Sequence, residues 1–180
     1  MTHPHDGTVE SRQPPTITLV RLGIDTITAL AAGDRAGAGR SSRLPISSYL
    51  ADDRALWAWQ LAVAADLDPV EQSRWLACAV LDETDWRVVG HAGFHGPPRE
   101  GMVEIGYSID LVHRRRGYGR AVVSALLDEA RACPDVTRVR ASINRSNTAS
   151  FATISGFRFV AVGSRAVDGG EEVILERRSV

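Results

Sequence analysis

Residues 114–119 read Arg-Arg-Arg-Gly-Tyr-Gly, three cations and two glycines where an alternating stretch gives way to helical spacing. Upstream, Val103, Ile105, Tyr107 and Ile109 alternate with Glu104, Gly106, Ser108 and Asp110, the period-two pattern of a strand with one face on a core. Downstream, Val123, Leu126, Leu127 and Ala130 recur at i, i+3, i+4 and i+7, with Arg120, Ser124, Asp128 and Arg131 on the other side of a helix. The first N–H groups of a helix lack internal partners and carry partial positive charge, so a glycine-bearing entry lets a phosphate reach bare backbone. A side chain at those glycines would hold the anion away. A solvated basic turn is the alternative reading of the same residues. Two other phosphate motifs are excluded: no Gly-Lys-Ser/Thr follows, and Val122 stands where a dinucleotide fingerprint has its third glycine.

The elements that must position this turn follow from the rest of the pattern. Residues 17–22 form a first strand, and Asp25 caps a short helix to about residue 32. Gly33, Gly37 and Gly39 make residues 33–45 a mobile loop, and residues 46–65 carry a second helix with Leu50, Trp57, Leu61 and Ala64 inward. Residues 70–75 add a short turn. The continuous apolar run 76–81 reads as a strand buried on both faces, paired in a hairpin with 87–94. After the central strand and helix come a strand at 136–143, a short helix at 148–155, and strands at 157–167 and 172–178 joined by Asp168-Gly169-Gly170.

In this context the residues resemble a known family. Arg114-Arg115-Arg116-Gly117-Tyr118-Gly119 is similar to the Arg/Gln-x-x-Gly-x-Gly/Ala signature of the GNAT superfamily of acetyl-coenzyme A dependent N-acetyltransferases. Asn147-Thr148-Ala149-Ser150 and Gly156-Phe157 resemble the elements flanking that family's last helix. Residues 89–94 and 103–107 look most like the branch containing the ribosomal-protein N-terminal acetyltransferases. The resemblance covers residues 76–180 well and the N-terminal part loosely. It implies an α/β (α+β) acyl-CoA N-acyltransferase fold: a mixed, mostly antiparallel seven-stranded sheet flanked by about four helices.

The resemblance also implies roles. Acetyl-coenzyme A would lay its pyrophosphate on the backbone of Arg115, Arg116, Gly117, Tyr118, Gly119 and Arg120, with Arg114 and its neighbours as counter-charge. Its pantetheine arm would pair along Ile109, Asp110 and Leu111, with the Ile109 N–H polarising the thioester carbonyl. Asn147 and Ser150 would touch the cofactor from the other side; loop and helix-cap roles fit the same two residues. An ammonium acceptor must lose a proton before it attacks, and Glu104 is the first choice of base. A cross-strand pair with Arg138 or Arg140 is its other reading. The family's frequent tyrosine donor in the last helix has no counterpart among Phe151, Ala152, Thr153 and Ile154, which leaves Ser150, Tyr107 or water for the departing thiolate.

Acceptor identity falls to less legible residues. Trp57, Trp59 and Trp75 are core or one wall of the acceptor cleft; Asp52 and Asp53 attract a cationic amine or line a solvated face. His91 and His95 share a strand face, but no third ligand lies near them in sequence, so no metal is implied. The acceptor is a primary amine, on a small molecule or a protein N-terminus. A non-catalytic acyl-CoA-binding module of the same fold is the alternative. A net charge of −1 gives no pull toward nucleic acid, which makes a nucleic-acid patch at residues 114–120 the weakest reading. At 180 residues the chain suits one domain over 16–180 after a disordered tail over 1–15. No apolar run approaches a membrane span, residues 1–15 lack a signal-peptide pattern, and two cysteines suggest no disulfide framework, which fits the cytoplasm. The resemblance makes a homodimer through the last strands plausible.

Overall fold

The computed structural model describes residues 14–179, so most of the tail expected over residues 1–15 lies outside it. Seven strands form one sheet in the order β1-β2-β3-β4-β5-β7-β6. They are β1 (Ile17–Arg21), β2 (Cys78–Asp82), β3 (Arg87–Phe94), β4 (Met102–Ile109), β5 (Arg138–Asn144), β6 (Val160–Val167) and β7 (Gly170–Arg178). Neighbours are antiparallel except β4 and β5, which are parallel. The seven-stranded, mostly antiparallel sheet read from the sequence is therefore the sheet observed.

The parallel ladder is short. Only Met102, Val103 and Glu104 pair with Arg138, Val139 and Arg140, after which β5 continues against β7 alone and β4 continues against β3. A parallel crossover needs a long connection. Here it is helix α6 (Tyr118–Arg131), which lays Val122, Val123, Leu126, Leu127 and Ala130 on one face of the sheet. The other face is covered by α1 (Ile24–Ala31), α2 (Arg35–Ser42), α3 (Ser48–Asp52) and α4 (Arg54–Ala64), with a second core of Ile27, Leu30, Leu50 and Trp57 against Ala79, Leu81 and Val88. β2 is buried along its whole length because it feeds both cores, Val80 one way and Ala79 and Leu81 the other. The remaining helices are α5 (Pro69–Trp75) and α7 (Thr148–Ile154).

The N-terminal part departs from expectation, with seven α-helices among the described residues against about four. Residues 33–45 are not a loop: Asp34 accepts from the Gly37 N–H at 2.8 Å and caps α2, whose Ala38 is wholly buried. An N-cap and one packed side chain outweigh the poor helix propensity of two glycines. Asp25 lies in the first turn of α1, and Gly23 is the N-cap without a side-chain bond. The helix read over 46–65 is two, broken at Asp53, which caps α4 through the Leu56 N–H while Trp57 Nε1 donates to the Leu50 carbonyl at 2.6 Å. The turn at 70–75 is α5, opened by an Asp68–Glu71 capping box with Pro69 in its first turn.

Candidate functional site

Where β4 and β5 part, a cavity of about 910 Å³ opens between the end of β4, the start of α6 and α7. α6 begins at Gly117, whose φ of 91° suits glycine, with no side chain capping the first turn. Its first N–H groups thus face the cavity without a side-chain acceptor, the arrangement that binds a phosphate. A Cβ built on Gly119 would stand 3.1 Å from Thr153 Cγ2 and 3.7 Å from Tyr107 Cε2, so the missing side chain leaves room between α6, α7 and β4.

Most of the residues singled out from the sequence line this cavity: Ile109, Leu111, Arg114, Arg115, Gly117, Tyr118, Gly119, Arg120, Asn147 and Ser150. Asp110 and Arg116 are not among them. Asp110 instead accepts from the Val112 N–H, capping the short 3-10 turn Leu111–His113, and its own N–H donates to the Val89 carbonyl at 2.9 Å. That bond fixes the direction of the neighbouring amide. Antiparallel partners exchange bonds at alternate residues, so the Ile109 N–H points to the opposite edge of β4, where β5 has parted.

The arginines are less alike than their sequence suggests. Arg114 Nε donates to the Ile109 carbonyl at 2.8 Å, which ties the turn to the strand. Arg120 donates to the Thr153 and Ser155 carbonyls at 3.2 and 2.8 Å, with its guanidinium over the Phe157 ring, so it clamps α7 to α6. Arg115 and Arg116 are exposed. Tyr118 is buried, its hydroxyl donating to Asp82; burial and that carboxylate push the phenol up to about 12, while the hydrogen bond holds Asp82 below the usual carboxylate range. Asn147 caps α7 by accepting from the Ser150 N–H at 3.1 Å, and both residues also line the cavity.

Tyr107 extends from β4 beneath α7. Its hydroxyl is buried without a well-formed hydrogen bond, and burial raises its pKa, offset in part by the neighbouring Ser150 and Thr153 hydroxyls. A phenol thus stands beside the helix that lacks a tyrosine of its own.

Glu104 lies on the opposite face of β4. Arg140 is its cross-strand neighbour, but neither Arg138 nor Arg140 forms an ion pair with it; both bind Glu176, at 3.4 and 2.6 Å. The Glu104 carboxylate is instead 3.6 Å from His95 Nδ1 and 3.8 Å from Arg165, and its Oε1 is buried with no hydrogen-bond partner among the described residues. Burial lowers the His95 pKa more than Glu104 raises it. Gly106 admits this imidazole, since a Cβ there would stand 2.6 Å from His95 Nε2.

A second cavity, of about 190 Å³, opens on this face between α4 and strands β3 and β4. It includes His91, His95, Trp59 and Gly106, and Tyr107 is the residue it shares with the larger cavity. The paired histidines are therefore pocket residues. Trp59 packs edge-on against His95, whereas Trp57 and Trp75 are core. Proximity of His95 to Glu104 was beyond sequence reasoning, because it depends on the β3–β4 register. Among the described residues no group of three or more His, Cys, Asp or Glu side chains is placed to hold a metal ion.

Residues 25–160 match the profile of the acetyltransferase (GNAT) domain. An uncharacterized N-acetyltransferase of Bacillus subtilis (strain 168), YjdG, is 32% identical over 82 residues, 45% of this chain; the match spans about half the length of that relative, 49%. Among solved structures, a GNAT-family acetyltransferase from Bacillus anthracis superposes with a TM-score of 0.61 at 14% identity, covering 93% of this chain and 98% of that one. The ribosomal-protein-S5-alanine acetyltransferase of Vibrio fischeri gives 0.59 at 15% identity, over 91% and 92%. The microcin C7 self-immunity acetyltransferase MccE, solved in complex with acetyl-CoA and AMP, gives 0.61 at 13% identity, over 90% and 92%. At such identities these likenesses speak for the fold.

Proposed function

The chain belongs to the GNAT acetyltransferase family, and from that premise we propose that it transfers acetyl from acetyl-CoA to a primary amine by direct attack in a ternary complex. The observation that carries the reading is the parting of β4 and β5 beside the uncapped start of α6, which makes a cavity with anion-binding backbone at one end and the Ile109 N–H at the other. Bound there, acetyl-CoA supplies the thioester carbon that the amine attacks.

The residues divide the remaining work. The α6 entry and Arg115 hold the pyrophosphate, the Ile109 N–H stabilises the oxygen on which charge develops, and Asn147 steadies the pantetheine arm. Glu104, with an unpartnered Oε1, takes the proton of the incoming ammonium. Ser150, backed by the Tyr107 hydroxyl, donates a hydrogen bond to the departing sulfur. A covalent route through cysteine is unfavourable: Cys78 is buried and its thiol pushed up to about 12, and Cys133 is buried as well. The nucleic-acid reading of residues 114–120 loses support because Arg114 and Arg120 are engaged internally.

The acceptor is the amine of a small molecule or of a protein N-terminus. A single domain over residues 16–180, a cytoplasmic location and a homodimer belong to the same proposal. Two buried free cysteines fit the location, and the exposed edge strand β6, with Val160 and Val162 in solvent, offers a second copy a place to pair. Among the described residues no helix is long and apolar enough to cross a membrane.

Calorimetric titration of acetyl-CoA into the wild type and Ala149→Glu tests the reading. Ala149 is exposed on the cavity wall, so its replacement adds an anion there without backbone strain. Gly117 serves less well, since its φ of 91° strains any side chain. Binding in the wild type, weakened at least tenfold in the variant, and turnover with an amine panel are the expected results. Binding without turnover on any amine points to the non-catalytic module, and no binding overturns the assignment.

A further inference from the structure

The smaller cavity carries information about the acceptor that family membership does not. It abuts the Glu104–His95 pair through Gly106 and meets the larger cavity at Tyr107, so a group seated in it has its polar end at the proposed base. On this face its walls are Leu56 and the side-chain-free Gly93 and Gly106, with the indole of Trp59 at the rim; the Ala92 and Phe94 side chains pack into the core on the opposite face. The polar side chains that reach it are already occupied or uncharged. Gln60 Oε1 accepts from the Ala77 N–H at 2.8 Å, and His91 lies between the Tyr49 and Trp57 rings. Burial pushes the His91 imidazole down to about 4 and lowers that of His95, so both are neutral at pH 7.

Charge gathers outside the walls. Glu104, Glu172 and Asp53 are the anions; of the cations, Arg165 is engaged by Glu172 at 2.9 Å and Glu104 at 3.8 Å, and Arg140, beside Glu104 in the strand register, is bound by Glu176. One ammonium is welcome at the Glu104 end. A second cationic centre would have to enter the apolar walls, where an unpaired buried charge is strongly disfavoured. A carboxylate next to the amine, as in a free amino acid, would face Glu104, with Arg165 and Arg140 both already engaged by glutamates. By size, an apolar space of roughly 150 Å³ accommodates benzene, and the cavity here is about 190 Å³.

From these observations we infer that the acceptor is a monocationic primary amine carried on a compact apolar body, aromatic or branched aliphatic, which fills the cavity beside Trp59. The inference rests on the acetyltransferase reading for the amine's fate, but not for its binding. Small arylalkylamines and peptides with an apolar first residue present the same chemistry.

Binding is measured first without acetyl-CoA, by calorimetry and by the fluorescence of Trp59 with Trp59→Phe as control. The probes are phenethylamine, a peptide beginning Phe-Ala, a peptide beginning Glu-Ala, spermidine and phenylalanine. The expected result is at least tenfold tighter binding of phenethylamine or the Phe-Ala peptide than of the other three, with the better of the two naming the source. Leu56→Trp, which narrows the cavity, weakens the preferred probe at least tenfold and leaves acetyl-CoA affinity within twofold; Leu56→Phe checks the same wall with a smaller change if Leu56→Trp does not fold. Equal or better binding of spermidine or phenylalanine, or indifference to both wall substitutions, overturns the inference. Intact acetyl-CoA binding in that event leaves the family reading standing.

Discussion

At the scale of the residue, the proposed chemistry rests on two side chains on opposite faces of one strand. Glu104 has a buried oxygen with no hydrogen-bond partner among the described residues and a neutral imidazole 3.6 Å away, so a proton taken from an ammonium has a vacant acceptor to occupy. Glu104→Gln keeps the shape and removes the proposed base. Its kcat should fall by about 10² to 10⁴, the usual worth of a positioned acid or base, with acetyl-CoA affinity by calorimetry unchanged. On the other face, Tyr107→Phe and Ser150→Ala each remove one hydroxyl of a shared pair. Each should lower kcat by roughly tenfold with KM for acetyl-CoA held within about threefold, and the double variant should be no worse than the poorer single one, because coupled groups are not additive. Independent, additive losses would show that the two hydroxyls do not act together.

At the scale of the element, the α6–α7 pair forms the jaws of the larger cavity. The motif from Arg114 to Gly119 was legible because it is a matter of backbone, two glycines and a helix entry. Its arginines were not legible individually, since the acceptors for Arg114 and Arg120 come from Ile109, Thr153 and Ser155, residues whose nearness only the fold creates. Arg120→Ala removes the clamp on the last turn of α7 and its stacking on Phe157. It should raise KM for acetyl-CoA several-fold with little change in kcat, and steady-state kinetics with acetyl-CoA varied will read the split. The misread helices teach a related point. The glycines of residues 33–39 signalled a loop, but Asp34 at the cap and the buried Ala38 decided for helix.

At the scale of the whole molecule, the α1–α4 layer buries a histidine between itself and the sheet. His91 titrates near 6.5 when the chain is unfolded and at about 4 in the fold, where burial outweighs the pull of Asp53 at 4.0 Å. The sign is set by proton uptake. Below pH 6.5 the unfolded chain binds a proton that the folded one refuses, so stability complete above that value is lost as pH falls toward 4, at up to ~1.4 kcal/mol per unit. Urea midpoints at pH 7.5, 5.5 and 4.5 should decline more steeply in the wild type than in His91→Gln, and equal declines would dismiss the buried histidine as the cause.

Local pattern by itself determined the seven strands, the central strand–turn–helix unit and the glycine entry to α6, because each is set by neighbours in the chain: side chains alternating across a strand, an apolar stripe along a helix, backbone that only glycine leaves bare. Tertiary structure alone decided what those elements enclose. The parting of β4 from β5, the imidazole beside Glu104, the pairing of Arg138 and Arg140 with Glu176 and the apolar cavity under Trp59 all join residues far apart in sequence. Such contacts depend on strand register and on which face each layer of helices covers, and these are fixed when both faces of the sheet are buried at once.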